Sequence, residues 1–202
     1  MTDETEVQEA PATTKADAGI ALIFDTETTG LFDYKRRAHE EGQPRMASIA
    51  AALVSGTGEV LHEWYHVIKP EGWDEKTMSE LKEGSGAFAV NGLTLDRLMN
   101  EGIPVEHALM QFDALVDRCT GIAAFGISFD QKVMRAEQRR AGRPDRYGER
   151  PTFCVMKTAT DLCKIPPTDK MMAAGRRWHK TPNLKEAASI LLGLNLEDAH
   201  DA

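Results

Sequence analysis

The sequence predicts an α/β fold in which one mixed β-sheet is flanked by helices. Residues 20–24, Ile-Ala-Leu-Ile-Phe, form an apolar run of strand length. Residues 46–54 and 59–68 have the pattern of two further strands, and the Ser-Gly-Thr-Gly turn sequence at 55–58 joins them, which predicts an antiparallel three-strand meander. Short apolar runs then alternate with helical patterns, as is typical of the parallel strands of such a sheet.

The elements after the meander follow from the spacing of apolar and turn-forming residues. They are a mostly helical or irregular stretch over 71–103, a helix opened by Pro104, a strand over 122–127, a helix with a basic face over 129–141, a strand over 153–156, and helices over 158–163, over 184–192 and from near Glu197. Asn183 is the predicted N-cap of the helix over 184–192, and Gly193 is predicted to end it.

Composition predicts one folded domain of ordinary size. The 202 residues are 42% hydrophobic, enough to bury a core. Residues 1–18 are acidic, rich in Ala and Thr and poor in large apolar side chains, which predicts a disordered tail. The domain is therefore expected over 19–202.

The sequence favours a reduced, cytoplasmic setting. Cys119, Cys154 and Cys163 are odd in number and lack metal-ligand spacing, which favours three free thiols. The first residues lack the pattern of a secretory signal, and no apolar stretch approaches the roughly 20 residues that a membrane span needs.

The net charge of −8 argues against a protein that coats duplex nucleic acid. It does not exclude an enzyme that binds only a few terminal nucleotides, because such an enzyme concentrates acids around its metal ions and needs only local basic contacts.

Two acids at alternate positions follow the first apolar run. Asp25 and Glu27 point to the same side if the backbone is extended, and Gly30 then frees the chain to turn. Two carboxylates held together repel each other unless a cation neutralises them, and hard oxygen ligands suit Mg²⁺ or Mn²⁺. A strand that ends in solvated acids is the alternative.

The heptad Phe-Asp-Thr-Glu-Thr-Thr-Gly at 24–30 resembles the first motif of the DnaQ-like (DEDD) 3′→5′ exonucleases. The resemblance implies a ribonuclease H-like fold, two bound Mg²⁺ or Mn²⁺ ions, and metal-ligand roles for Asp25 and Glu27, with Glu27 also in the catalytic set. It implies substrate contacts near the 3′-terminal nucleotide at three positions, which are Thr28, Gly30 and Leu31.

Phe129-Asp130, which follows the strand over 122–127, resembles the second motif of the same family. The chain has Phe125-Gly126 where the family commonly has His-Asn, so only Asp130 carries over, as a ligand of the second metal. Asp130 as a simple helix cap is the alternative. Asn91 stands where the family has a His-Gly-Ile-Thr segment, and either a substrate contact or a generic turn fits it.

The chain ends Ala199-His200-Asp201-Ala202, which resembles the start of the third motif of the histidine subgroup, His-x₄-Asp. The resemblance implies that His200 is the general base. The partner Asp would fall beyond Ala202, and neither Asp198 nor Asp201 is a convincing substitute, so the last helix is expected to be truncated. His179 lies in a polar loop and is more readily explained without a catalytic role.

These residues predict a 3′→5′ exonuclease that hydrolyses phosphodiester bonds with two metal ions and releases nucleoside 5′-monophosphates. The expected partner is the 3′ end of a single strand, DNA being favoured and RNA staying open, and a polymerase is a possible protein partner. A catalytically weakened domain that binds nucleic-acid ends, or a fragment of a longer enzyme, is the alternative.

Overall fold

One mixed five-stranded sheet forms the centre of the molecule. The computed structural model describes residues 19–81 and 86–196. The strands are β1 (Ile20–Thr28), β2 (Met46–Ser55), β3 (Val60–Val67), β4 (Gly121–Ala124) and β5 (Thr152–Cys154). Their order is β3-β2-β1-β4-β5, with β1, β2 and β3 antiparallel and with β4 and β5 parallel to β1. The predicted meander and the parallel strands are confirmed.

Helices connect and flank the strands. They are α1 (Glu75–Glu80), α2 (Gly86–Asn91), α3 (Leu95–Glu101), α4 (Val105–Arg118), α5 (Ile127–Arg140), α6 (Val155–Cys163), α7 (Asp169–Ala173) and α8 (Leu184–Leu192), with a 3₁₀ turn at Tyr147–Glu149. None of the helices in the described ranges is both long and apolar enough to cross a membrane. The helix expected from near Glu197 and the tail over 1–18 lie outside the described residues.

The main core lies between one face of the sheet and helices α4 and α5. Leu22 and Phe24 point into it from β1, and the ring of Phe24 meets that of Phe112 edge-on at 5.1 Å. Leu22 and Phe24 alternate with the exposed side chains of Ile23 and Asp25, as expected of an extended strand with two unequal faces. The face of β1 that carries Leu22 and Phe24 is therefore buried, and the face that carries Ile23 and Asp25 is more open.

Local sequence signals placed the turns and caps correctly. Gly58 closes the β2–β3 hairpin with a φ of 87°, in the left-handed region that glycine tolerates. Asn183 caps α8 through a capping box with Glu186, and Gly193 ends the helix with a φ of 68°. Cys119, Cys154 and Cys163 are free, as predicted.

The predicted transitions from strand to helix after β4 and after β5 are both placed too late along the chain. The expected strand over 122–127 ends at Ala124, and the following helix begins at Ile127 rather than Phe129. Gly126 is the N-cap of this helix, and its carbonyl accepts a hydrogen bond from the Phe129 N–H at 2.9 Å. β5 likewise ends at Cys154, and α6 begins at Val155. A short apolar run at the start of a helix cannot be told from the end of a strand by periodicity alone, which explains both errors.

Candidate active site

The two acids of β1 lie on one face of the sheet. β1 continues through Thr28, because its pairing with β2 extends to Thr28 opposite Met46. Asp25 and Glu27 therefore lie within an extended segment and point away from the face that carries Phe24. The predicted orientation of the two carboxylates is confirmed.

Asp130 contacts the residue between these two acids, Thr26, which lies 104 positions earlier in the chain. Asp130 lies in the first turn of α5 and is only 3% exposed. One of its oxygens accepts from the Thr26 backbone N–H at 3.1 Å and from the Thr26 hydroxyl at 2.8 Å. Thr26 stands between Asp25 and Glu27, so α5 brings a third carboxylate to the same segment of β1. The alternative of Asp130 as a helix cap is wrong, because Gly126 occupies the N-cap position and Asp130 lies inside the helix, in its first turn.

Burial and neighbouring carboxylates raise the pKa values of Glu27 and Asp130. Burial, then the charge of Asp25, raises the pKa of Glu27 from 4.5 to about 7, and Asp130 contributes in the same direction. Burial, again followed by the charge of Asp25, raises the pKa of Asp130 from 3.8 to about 6. Like charges close together in a partly buried site favour the protonated form, and a bound cation would favour the ionised form.

Asn91 is a functional candidate that the sequence left undecided. It is buried at the end of α2, and a hydrogen bond from its side chain to Glu27 opposes the rise in the Glu27 pKa. Its amide nitrogen is 3.4 Å from the Thr28 carbonyl oxygen, and its side-chain oxygen accepts from the Leu93 N–H at 3.1 Å. Asn91 therefore links α2 to Glu27 and to the end of β1.

The predicted substrate-contact residues Thr28, Gly30 and Leu31 directly follow the β1 acids along the chain. The Thr28 hydroxyl donates to the Gly30 carbonyl at 2.7 Å and shapes the chain as it leaves β1. A Cβ at Gly30 would meet nothing within 4 Å, so there is open space above this backbone. Leu31 is 87% exposed, which is unusual for a leucine beside buried residues, and it offers apolar surface next to the acids.

Two histidines that the sequence singled out remain, and only His179 is among the described residues. His200 lies outside the described residues. His179 is exposed in the loop before α8. Within residues 19–81 and 86–196, no group of three or more His, Cys, Asp or Glu side chains is arranged to hold a metal ion. The donor set of Asp25, Glu27 and Asp130 nonetheless fits a hard divalent cation, since all its ligand atoms are carboxylate oxygens and the pKa values of Glu27 and Asp130 are raised by burial and by neighbouring negative charge.

A second buried acid of α5 fixes the loop that follows the site. Glu137, 1% exposed, accepts from Arg45 Nε at 3.0 Å, from a terminal nitrogen of Arg45 at 3.1 Å and from the Met46 N–H at 3.1 Å. Arg140 adds a further bond to Glu137 at 2.7 Å. The Thr29 N–H donates to the Arg45 carbonyl, and the Arg45 N–H donates to the Thr29 hydroxyl oxygen, both at 3.0 Å. The loop over 30–44 is thus tied at its base to α5, close to Thr28 and Gly30.

A comparison with protein-family models gives no match, and a comparison with curated proteins gives none. Solved structures do resemble the chain. The zinc-bound E. coli ExoI–ssDNA complex superposes with a TM-score of 0.63 at 16% identity, over 92% of this chain and 37% of that one.

Two further structures have similar folds. The moderately thermophilic exonuclease I from Methylocaldum szegediense gives a TM-score of 0.59 at 17% identity over 91% of this chain and 37% of that one, and a full-length 3′-exonuclease gives 0.53 at 14% identity over 90% and 61%. The chain thus spans little more than a third of the exonuclease I structures. At these identities the similarity concerns the fold, and the predicted ribonuclease H-like fold class is confirmed.

Proposed function

We propose that this chain is a metal-dependent 3′→5′ exonuclease domain that acts on the 3′ end of a single strand, with DNA as the favoured substrate. The observation that carries the proposal is the meeting of Asp25, Glu27 and Asp130 at one segment of β1 with raised pKa values for the last two. The structural neighbours are exonucleases, one of them in complex with single-stranded DNA, which favours hydrolysis over end binding alone.

The three acids would hold two divalent ions, Mg²⁺ or Mn²⁺. Asp25 and Glu27 offer their oxygens from an exposed strand face, and Asp130 offers the oxygens that Thr26 orients. Bound divalent ions would lower the pKa of an attacking water and offset charge on the scissile phosphate and the leaving 3′-oxygen. Asn91 holds Glu27 in place by hydrogen bonding, so that the carboxylate is positioned before the substrate binds.

The substrate end would lie against the segment after β1. Thr28 and Gly30 present backbone that a terminal nucleotide can approach closely, because Gly30 has open space above it. Leu31 would contact the 3′-terminal base with its exposed side chain. His200 would take the proton of the attacking water as general base. The products would be nucleoside 5′-monophosphates.

A 5′-labelled single strand tests the proposal. With Mg²⁺ or Mn²⁺ the chain should give a descending ladder, and EDTA should abolish it. Asp25→Asn should reduce the rate by at least about 10²-fold, because transition-state stabilisation by metal is worth several kcal/mol. Asp161→Asn, at an exposed position of α6, is the matched control and should retain the rate. Internal cleavage, or a ladder that persists in EDTA, would contradict the proposal.

A further inference from the structure

A basic groove lies between the outer face of α5 and the loop after β1. Its volume is about 530 Å³, and five cationic side chains line it, which are Arg36, Arg37, Lys132, Arg135 and Arg139. The described residues that line it include no acid. The groove is therefore a concentrated positive surface in a chain whose formal net charge is −8.

Three of the five cations lack a carboxylate partner in the described part of the chain. Arg36 pairs with Glu40 at 3.3 Å, and Arg135 pairs with Asp145 at 2.7 Å. Arg37, Lys132 and Arg139 form no such ion pair among residues 19–81 and 86–196. Since charges that are not neutralised within the protein attract counter-ions from solution, this surface is suited to a polyanion.

The groove also carries an aromatic platform. The Lys132 ammonium lies 3.8 Å from the ring centroid of Tyr34 and 5.2 Å from that of Phe32. Tyr34 is 74% exposed, whereas Phe32 is buried against Phe129. An exposed aromatic ring beside a row of cations is the combination that single-strand binding surfaces use, since bases stack on the ring while phosphates meet the cations.

The loop wall of the groove is held in place by buried polar contacts. The Gln43 amide, 1% exposed, donates to the carbonyls of Asp33 and Arg37 at 2.8 and 3.2 Å. Arg140 donates to the carbonyls of Ala38 and Pro44 at 3.0 and 3.2 Å. The backbone that carries Arg36 and Arg37 is therefore fixed to α5, which lowers the ordering cost of binding a strand there.

The position of the groove relates it to the proposed active site. Asp130 faces β1, whereas the groove residues lie on the opposite side of α5. Ser128, two residues before Asp130, lines the groove, and the chain that leaves β1 after Thr28 reaches the groove at Phe32 and Tyr34, whose rings lie 5.2 and 3.8 Å from the Lys132 ammonium. From Ser128 to Arg139 the helix rises about 17 Å, which gives room for several phosphates. We infer that a strand whose 3′ end lies at Asp25 follows this segment past Leu31 and Tyr34 toward the groove.

We propose that this groove binds the phosphodiester backbone of the strand upstream of its 3′-terminal nucleotide, with a base stacked on Tyr34. The proposal rests on the proposed exonuclease function for its direction of approach, but the binding itself does not require hydrolysis. Arg37, Lys132 and Arg139 would contact phosphates, and Arg36 and Arg135 would add to the local potential.

A triple variant tests the groove. Arg37→Gln, Lys132→Gln and Arg139→Gln are combined in the 202-residue chain, and a control combines Arg118→Gln, Lys170→Gln and Arg176→Gln, three exposed cations outside the groove with the same loss of charge. Binding of an end-labelled oligothymidylate of about a dozen nucleotides is followed by fluorescence anisotropy in EDTA over a range of salt concentrations.

The groove variant should bind at least about tenfold more weakly near 0.1 M salt, and the slope of log K against log salt should become shallower by about 2, since each phosphate contact on a single strand contributes about 0.7. The control should stay within about twofold of the parent chain. A dinucleotide, too short to reach the groove, should be bound or hydrolysed equally by all three chains.

Other outcomes separate the two proposals. Equal affinities and slopes for the groove variant and the control would overturn the groove while leaving exonuclease activity intact. If the parent chain does not hydrolyse the strand, weakened binding by the groove variant still supports the groove. If a glutamate-rich peptide, rather than the oligonucleotide, loses affinity in the groove variant, the surface binds acidic protein segments and the proposal is wrong.

Discussion

Helix α5 carries two buried acids seven residues apart that have opposite surroundings. Glu137 is surrounded by Arg45, Arg140 and the Met46 N–H, so that its charge is offset within the protein. Asp130 has no cationic partner among residues 19–81 and 86–196. Its donors are the Thr26 N–H, the Thr26 hydroxyl and its own backbone N–H, and burial, followed by the charge of Asp25, raises its pKa to about 6. Both acids are equally hidden from water, so burial does not distinguish them.

The difference between them indicates their roles. A buried acid with cationic partners stabilises the fold only as long as every partner remains, because removal of one leaves a buried charge. A buried acid without such partners costs stability, and it persists where a ligand supplies the missing charge. Glu137 therefore fixes the loop and β2 to α5, and Asp130 is suited to bind something that the protein itself does not provide.

Loss of Glu137 should give the largest effect on stability. Glu137→Gln keeps the size of the side chain but turns an amide donor toward the guanidinium groups of Arg45 and Arg140, and should lower the free energy of unfolding by about 3–5 kcal/mol. Urea unfolding in EDTA at neutral pH measures it. Asp130→Asn is the matched variant, and it should leave the stability within about 1 kcal/mol or raise it, because the amide oxygen can still accept from Thr26. Similar losses for both variants would remove the distinction between the two acids.

The pH dependence of stability should report the raised pKa values of Glu27 and Asp130. Between about pH 4 and 7 the folded protein retains protons on Glu27, whose pKa is raised to about 7, while the unfolded chain releases them near 4.5. The unfolded state then binds fewer protons, so the contribution of Glu27 to the free energy of unfolding falls as the pH rises through this window. Asp130 acts in the same direction, with a folded pKa of about 6 against 3.8.

Glu27→Gln isolates this contribution. Acids with lowered pKa values, such as Asp74, contribute the opposite slope, so the absolute profile is a mixture. Relative to the parent chain, Glu27→Gln should gain stability between pH 4 and 8 in EDTA, measured by urea unfolding at each pH. Saturating Mg²⁺ should reduce the difference. A constant difference across this range would mean that the Glu27 carboxyl is not perturbed.

The smallest effect should come from the hydroxyl that supports Asp130. Thr26→Val removes the 2.8 Å bond to the Asp130 carboxylate but preserves side-chain volume and the backbone bond, so it should cost about 1 kcal/mol. It should also raise the Asp130 pKa further, which a carboxyl titration by NMR would detect. Thr160→Val, which removes a hydroxyl bond to a helix carbonyl in α6, is the control and should leave that titration unchanged.

The sequence by itself determined the local parts of the site. The alternation of Asp25 and Glu27 placed their carboxylates on one side, because side chains of an extended strand repeat every two residues. The hairpin at Gly58 and the caps at Asn183 and Gly193 also followed from short-range preferences of backbone conformation and hydrogen bonding. The meander and the later parallel strands followed from apolar spacing and turn residues.

The tertiary structure decided everything that depends on long-range packing. Asp130 contacts Thr26 rather than capping its helix, Asn91 supports Glu27, and Arg45 meets Glu137 across 92 positions of sequence. Residue types and spacing do not specify these pairs, because they depend on how α2 and α5 pack against the sheet. The raised pKa values arise for the same reason, since burial and the proximity of distant charges exist only once the chain has folded.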